Sequence, residues 1–171
     1  MENQVDSPSA RCSENYYMEI NIIAAVAANG AIGFRGQLLY HITEDMNRFK
    51  QLTWGHTIIM GHNTYKSLPC GALPGRRNIV LSRHVASLPD CEVYPSLEQA
   101  LATCCCEEQV FIIGGAQVYC EAMPLANRLY LTEIKKVPAH ADTFFPELAA
   151  RFKLVSRQQH DGYCFALYQS Y

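Results

Sequence analysis

The sequence has little charge of either sign and no long apolar segment. Charged residues make up 18% of the 171 residues, the formal net charge is -2, and Lys and Arg form no run. We therefore expect no nucleic-acid partner, because proteins that bind nucleic acid usually carry a clustered basic surface. No apolar stretch reaches the length that spans a membrane, and the N-terminus lacks the basic start and apolar core of a secretory signal. These absences predict a cytoplasmic protein without a membrane partner.

Cysteine motifs for metal binding are also absent, although the sequence contains eight cysteines. No two cysteines form a Cys-x-x-Cys pair, and the successive side chains of Cys104, Cys105 and Cys106 point in different directions. Thiols stay reduced in the cytoplasm. We therefore expect neither a metal site nor a disulfide.

The pattern of apolar residues predicts one α/β domain. Residues 1–17 are polar and patternless, so we expect a flexible tail at 1–17 and a folded domain at 18–171. Apolar or alternating runs predict strands at Ile20–Ala27, Thr57–Met60, Asn78–Leu81, Cys91–Tyr94, Val110–Ile113, Arg128–Ile134, Phe152–Gln158 and Tyr163–Gln169. Helices are predicted from Thr43, as the cap, to about Leu52, over Gly61–Ser67, from Ser96, and from Ala116 to about Met123. Alternating strands and helices followed by a hairpin at residues 160–162 predict a mostly parallel sheet with an antiparallel edge.

Three glycine-rich segments are candidates for ligand contact. The segment Val110–Tyr119 joins a buried strand, two glycines and a helix start, and Met60–Thr64 repeats this arrangement. Such a junction directs backbone N–H groups towards a phosphate, although glycines also serve simply to connect a strand tightly to a helix. The third segment, Asn29–Gly36, is predicted to be a flexible lid over a ligand.

Asp45 is the candidate acid. In the predicted helix, Asp45 and Phe49 are four residues apart and share a face. An acid on the apolar side of a helix is unfavourable unless it is paired or binds a ligand. The alternative is that Asp45 only complements the helix dipole from the first turn. Both interpretations remain open on these residues alone.

Taken in order, the motifs resemble those of the dihydrofolate reductase family over residues 18–171. They are Ile23–Ala27, Ile32-Gly33, Asp45 with Phe49-Lys50, Ile59–Gly61, Leu73–Arg76, Leu81-Ser82, Ile113–Gly115 with Val118-Tyr119, Tyr130–Thr132, and Asp142-Thr143 with Phe145-Pro146. The resemblance implies a single α/β domain with an eight-stranded, mostly parallel sheet, an antiparallel C-terminal strand and four flanking helices. It also implies a monomeric oxidoreductase that uses NADPH to reduce 7,8-dihydrofolate to 5,6,7,8-tetrahydrofolate for one-carbon metabolism and thymidylate synthesis.

The resemblance assigns roles to individual residues. The catalytic group would be Asp45, Thr132 and Tyr40, with Asp45 binding the pterin ring. The substrate would contact Ile23, Asp45, Met46, Phe49, Leu68, Arg76, Ile113 and Thr132, with Arg76 gripping its glutamate carboxylate. NADPH would contact Ala25, Ile32, Gly33, Gly61, His62, Asn63, Thr64, Leu81, Ser82, Arg83, Ile113, Gly114, Gly115, Ala116, Gln117, Val118, Tyr119 and Thr143. Within this set, Ser82 and Arg83 would hold the adenosine 2′-phosphate, and the Gly114–Gly115 peptide would be cis.

Some residues depart from the family pattern, and two other functions deserve comparison. Tyr40 stands where many members have Trp, and His62 replaces a common Arg. A pyrimidine reductase of riboflavin synthesis would share the fold and NADPH, but Asp45, Arg76 and Thr132 favour a folate pocket. An inactive nucleotide-binding regulator is disfavoured because the acid and the cofactor residues are both retained. The chain lacks G-x-G-x-x-G, so a Rossmann domain is not expected.

Overall fold

The structure is a computed structural model that describes residues 17–171. Within these residues, the strands are β1 (Glu19–Ala27), β2 (Ala31–Phe34), β3 (Gln37–Leu38), β4 (Thr57–Gly61), β5 (Arg77–Leu81), β6 (Cys91–Tyr94), β7 (Gln109–Gly114), β8 (Arg128–Ile134), β9 (Thr143–Phe144), β10 (Phe152–Gln159) and β11 (Tyr163–Ser170). The helices are α1 (Thr43–Thr53), α2 (His62–Ser67), α3 (Leu97–Ala102) and α4 (Ala116–Ala122). Apart from Tyr17, the predicted tail at 1–17 lies outside the described residues.

The main sheet has eight strands in the order β10-β11-β8-β1-β7-β4-β5-β6. The pairs from β8 to β6 are all parallel, whereas β11 runs antiparallel to both β8 and β10. Parallel neighbours require a crossover connection, and the four helices supply most of these crossovers. The predicted fold is therefore confirmed, including the antiparallel C-terminal strand.

Apolar side chains alternate between the two faces of the central strands. Ile22, Ile59 and Ile112 lie in the cluster that also contains residues of α3 and α4. The adjacent Ile23, Ile58 and Phe111 lie in a second cluster, against side chains of α1 and α2. Since successive side chains of a strand point to opposite faces, a strand covered by helices on both sides must be apolar throughout. Full burial of each such side chain contributes about 1.5–3 kcal/mol.

A second, three-stranded sheet was not predicted. Strand β2 pairs antiparallel with both β3 and β9, so the segment interpreted as a flexible lid is partly ordered as a strand. The Asp142 N–H donates to the Gly33 carbonyl at 3.1 Å, and the Phe145 N–H donates to the Gly30 carbonyl at 2.8 Å. These bonds join segments that are more than a hundred residues apart, a pairing that no local pattern reveals.

The predicted helix start is confirmed for α3 and wrong for α1. Ser96 caps α3 as predicted, and its hydroxyl accepts a hydrogen bond from the Gln99 N–H at 3.2 Å. The prediction that Thr43 caps α1 is wrong, because Thr43 is the first helical residue and Ile42 precedes it without a side-chain cap. The first turn instead carries Glu44 and Asp45, whose charges complement the helix dipole.

The structure also tests the expectations for the Gly114–Gly115 peptide and for the cysteines. The Gly114–Gly115 peptide is cis, which confirms that expectation. Cys104 is buried, whereas Cys105 and Cys106 are exposed with their sulfurs 3.8 Å apart, so the expectation that the three side chains diverge holds only for Cys104. No disulfide joins the cysteines between residues 17 and 171. Over the same residues, no helix is long and apolar enough to cross a membrane.

Gly75 provides a test of local packing. It has a φ of +73°, and a Cβ at this position would lie 2.3 Å from the Trp54 ring, whereas Gly162 has a φ of +83° and nothing within 4 Å. We expect Gly162→Ala to lose about 1 kcal/mol of unfolding free energy through the positive φ alone. Gly75→Ala should lose more, because the Trp54 ring must move aside.

Chemical denaturation of the two variants measures this difference. Trp54 is the only tryptophan of the chain, so its fluorescence reports the displacement directly. Equal losses in the two variants, with unchanged emission from Gly75→Ala, would contradict the role assigned to the ring contact.

Candidate active site

A cavity of about 1080 Å³ lies at the carboxyl ends of the central parallel strands. Ligands of open α/β sheets bind at this edge, because the loops that follow the strands diverge there. Every residue predicted to contact the cofactor lines the cavity: Ala25, Ile32, Gly33, Gly61, His62, Asn63, Thr64, Leu81, Ser82, Arg83, Ile113, Gly114, Gly115, Ala116, Gln117, Val118, Tyr119 and Thr143.

Glycines keep one wall of the cavity thin. A Cβ at Gly61 would lie 3.3 Å from Val118, and a Cβ at Gly115 would lie 3.4 Å from the Thr64 hydroxyl. Gly114 has a φ of +122°, and a Cβ there would lie 3.1 Å from the Tyr119 hydroxyl. This wall therefore presents backbone rather than side chains to whatever occupies the cavity.

Basic side chains are concentrated in another part of the wall. His62 and Lys66 line the cavity from α2, and Arg83 and His84 line it from the turn after β5. The sequence interpretation missed Lys66 and His84. Lys66 could have been found by helical spacing, because it lies four residues after His62 and therefore shares its face. Together these residues make this part of the cavity suitable for anionic groups.

Asp45 is paired inside the protein. The Thr132 hydroxyl donates a hydrogen bond to Oδ1 of Asp45, which ties α1 to β8. Burial raises the pKa of Asp45, while the Thr132 hydrogen bond and the charge of Arg48 act to lower it. The interpretation that Asp45 only complements the helix dipole is therefore insufficient, since its carboxyl is half-buried and has a specific partner.

The Asp45 carboxyl lies close to the cavity. Thr132 is paired with Ala25 in the register of β8 and β1, and the side of β1 at Ala25 lines the cavity. Tyr119, which also lines the cavity, donates from its buried hydroxyl to the Ile23 carbonyl at 2.9 Å. Burial raises the pKa of Tyr119, and the negative charge of Asp45 raises it further. A ligand in the cavity would thus approach the acid at Ala25 and Tyr119.

A cluster of apolar side chains, which we call the apolar pocket, includes Phe49 one helical turn after Asp45 and extends to the cavity. Ile23, Phe49, Leu68 and Ile113 belong to one packed cluster, and Ile113 also lines the cavity. These four side chains therefore pack together, and their contact with a flat ring stays a prediction.

Met46 and Tyr40 are not members of this cluster, and the roles predicted for them stay predictions. Met46 is 48% exposed, although it is adjacent to Asp45 in sequence, because the neighbouring position on a helix points to another face. Tyr40 packs against the separate cluster of Ile134, Tyr163 and Phe165. It also lines a second cavity, of about 590 Å³, beside the β2–β3 hairpin.

Arg76 lies at the outer end of the apolar pocket. Its guanidinium centre is 5.9 Å from the Phe49 ring centroid and 5.6 Å from that of Trp54, and its Nη1 donates to the Thr53 hydroxyl at 3.2 Å. Burial lowers the pKa of Arg76. Arg76 forms no ion pair with a carboxylate of residues 17–171, so its charge remains available to an anionic ligand.

Asn78 holds the loop that carries Arg76, and it was missed in the sequence. Its side-chain amide accepts from the Leu73 N–H and donates to the carbonyls of Leu73 and Arg76, all at 2.9 Å. Asn78 is buried on β5, where an amide is disfavoured unless all its hydrogen bonds are satisfied. A buried asparagine within an apolar strand could have signalled this role.

The structure thus combines a large cavity that has basic side chains in its wall with an adjoining apolar cluster and a paired acid. The sequence model of the dihydrofolate reductase family matches residues 19–168. The dihydrofolate reductase of Neisseria gonorrhoeae is 47% identical over 132 residues, which cover 77% of this chain and 81% of that protein. That of Bacillus subtilis (strain 168) is 42% identical over 146 residues, covering 82% and 83%.

A third relative is dihydrofolate reductase type 3 of Salmonella typhimurium. It is 41% identical over 145 residues, which cover 84% of this chain and 88% of the relative. The family model and these relatives agree over nearly the whole of the described structure. The chain belongs to the dihydrofolate reductase family.

The raised pKa of Asp45 allows us to predict how the stability of the fold changes with pH. A carboxyl with a higher pKa in the folded state binds its proton more tightly when folded, so its contribution to stability falls as the pH rises above the unfolded value near 3.8. At pH 7 the ionised carboxylate therefore destabilises the fold. Asp45→Asn, which keeps an acceptor for Thr132, should have a higher Tm than the parent at pH 7.

The Tm difference should shrink towards zero at about pH 3, where Asp45 is protonated in both states. Thermal unfolding of both proteins at several pH values measures it. A variant that is less stable than the parent at pH 7 would mean that the helix dipole and Thr132 outweigh burial.

Proposed function

We propose that this protein catalyses the NADPH-dependent reduction of 7,8-dihydrofolate to 5,6,7,8-tetrahydrofolate. The observation that carries the proposal is the Asp45 carboxylate, which Thr132 holds beside an apolar pocket that shares Ile113 with the large cavity. The pterin ring fits the pocket, and NADPH fits the cavity. Ala25 and Ile113 would lie where the two rings meet, and the bound ligands would exclude water from the reacting atoms there.

The carboxylate recognises the pterin by its hydrogen-bond donors. Asp45 accepts hydrogen bonds from the 2-amino group and a ring nitrogen of the substrate, and Thr132 keeps the carboxylate in place through Oδ1. A buried carboxylate without such donors would be unfavourable, so it selects a ring that supplies them. Asp45 does not contact N5 of the pterin, and the proton for N5 arrives through water.

The residues of the cavity suit NADPH. When bound, NADPH supplies the hydride that is transferred to C6 of the substrate. The glycine wall at Gly61, Gly114 and Gly115 leaves room for the nicotinamide and its ribose. His62 and Lys66 meet the pyrophosphate, and Ser82 and Arg83 meet the adenosine 2′-phosphate, which favours NADPH over NADH.

Arg76 binds the glutamate end of the substrate. Its guanidinium is packed on Phe49 and Trp54 and held by Thr53 and Pro74, so it is already oriented before the ligand arrives. A planar guanidinium matches a carboxylate with two parallel hydrogen bonds. The residues proposed for both ligands come from one chain, so the proposed activity requires no partner subunit.

An absorbance assay of NADPH oxidation, with and without 7,8-dihydrofolate, tests the proposed activity. Substrate-dependent oxidation is expected, and Asp45→Asn should lower kcat about a hundredfold while leaving NADPH binding intact. Glu44→Gln is the matched control, because it removes the neighbouring acid of the same helix turn. No substrate-dependent oxidation by the parent would refute the proposal. Full activity of Asp45→Asn at pH 7 would refute the role of Asp45.

Two arginine variants should separate the two ligands. Arg76→Leu should weaken dihydrofolate binding roughly ten- to a hundredfold through the lost charged hydrogen bonds, with little change for NADPH. Arg83→Leu should weaken NADPH binding while leaving the affinities for NADH and dihydrofolate nearly unchanged. Equilibrium titration of each variant with each ligand measures this. If both variants weakened the same ligand, at least one assignment would be wrong.

A further inference from the structure

Arg48 is a half-buried cation that no role yet explains. It lies three residues after Asp45 on α1, so the two side chains share a face of the helix. Its guanidinium centre is 4.4 Å from the Phe165 ring centroid and 5.7 Å from that of Tyr130. Among residues 17–171 it forms no ion pair with a carboxylate, so aromatic faces rather than a counter-charge hold it.

The ring beneath Arg48 is joined to the partner of Asp45. Phe165 on β11 is paired with Thr132 on β8, and Thr132 donates its hydroxyl hydrogen bond to Asp45. Arg48 and Asp45 are therefore both anchored to the same place on the sheet, one by a ring and one by a hydroxyl. The positive charge cannot move away from the carboxylate without losing its contact with Phe165.

Among the ionisable groups around Asp45, Arg48 is the main source of positive charge. Burial raises the pKa values of Tyr119 on α4 and Tyr163 on β11, so both are neutral at pH 7 and supply no charge. Glu44 precedes Asp45 on α1 and is negative, and the Tyr130 ring lies over Arg48 on β8. The His160 ring stacks on the Tyr163 ring, with the two ring centroids 4.9 Å apart. Arg48 is the group whose charge lowers the pKa of Asp45.

We propose that Arg48 is a positioning residue that acts through Asp45, keeping the carboxylate ionised so that it can accept the hydrogen bonds of the pterin ring. The role rests on the proposed function, and it extends it to a residue outside the substrate contacts. Burial alone would favour the protonated carboxyl, which donates a hydrogen bond where the ring requires an acceptor. The charge of Arg48 opposes burial without occupying the pocket.

The charge state of Asp45 can be measured without any ligand. With 13C-labelled aspartate, the Asp45 side-chain resonance is assigned by its absence in Asp45→Asn and followed through a pH titration. Arg48→Met should bind the Asp45 proton about tenfold more tightly than the parent, whereas Arg48→Lys, which keeps the charge, should lie close to the parent. Lys50→Met is the matched control, since it removes a positive charge from the same helix, but one that lies over Trp54 at 5.4 Å.

The outcomes decide the proposal even if the enzyme assay fails. An unchanged Asp45 titration in Arg48→Met, or an equal shift in Lys50→Met, overturns it, and a shift confined to Arg48→Met supports it. Near-UV circular dichroism checks that Arg48→Met retains its fold, and Arg48→Lys provides the same comparison with the charge kept. As the pH is lowered, dihydrofolate binding by Arg48→Met should then begin to weaken at a higher pH than binding by the parent does. Binding that follows the parent's pH profile despite a shifted titration would also overturn the positioning role.

Discussion

The hydrogen bond from Thr132 to Asp45 is the contact on which the site depends. It joins a helix to a strand, and that strand lies next to β1, which lines the cavity at Ala25. One bond therefore fixes the distance of the acid from both ligand sites. This partner and the nearby charge of Arg48 compensate in part for the loss of water around Asp45.

The parallel sheet supplies the rest of the geometry. Strands β1, β4, β5 and β7 all end at the same edge, so residues from four distant parts of the sequence meet in one cavity. The glycines at two of these ends leave the backbone open to the cavity, and α2 and the turn after β5 carry the basic side chains. The small sheet of β2, β3 and β9 covers the opening and is fastened by backbone bonds around Asp142. The backbone N–H of Arg35 donates a hydrogen bond to the Asp142 carboxylate, which lowers the pKa of Asp142 and keeps the carboxylate ionised.

Most of the main sheet could be predicted, because strands buried on both faces, such as Ile58–Met60, are apolar without interruption. The cavity residues followed from motifs that stand at strand ends. Pairing across long separations left no local trace, which is why β2 and β9 were missed. Arg48 and Asn78 were missed for a related reason, since their roles depend on partners brought together by the fold.

Ile113 belongs to both the apolar pocket and the wall of the large cavity. A molecule in either place therefore changes the surface that the other molecule meets, through one shared side chain. Thermodynamic linkage requires the resulting change in affinity to be equal in both directions. Under the proposed function, the two halves of the site would form a single coupled system, and the affinity measured for one ligand would be defined only once the occupancy of the other is stated.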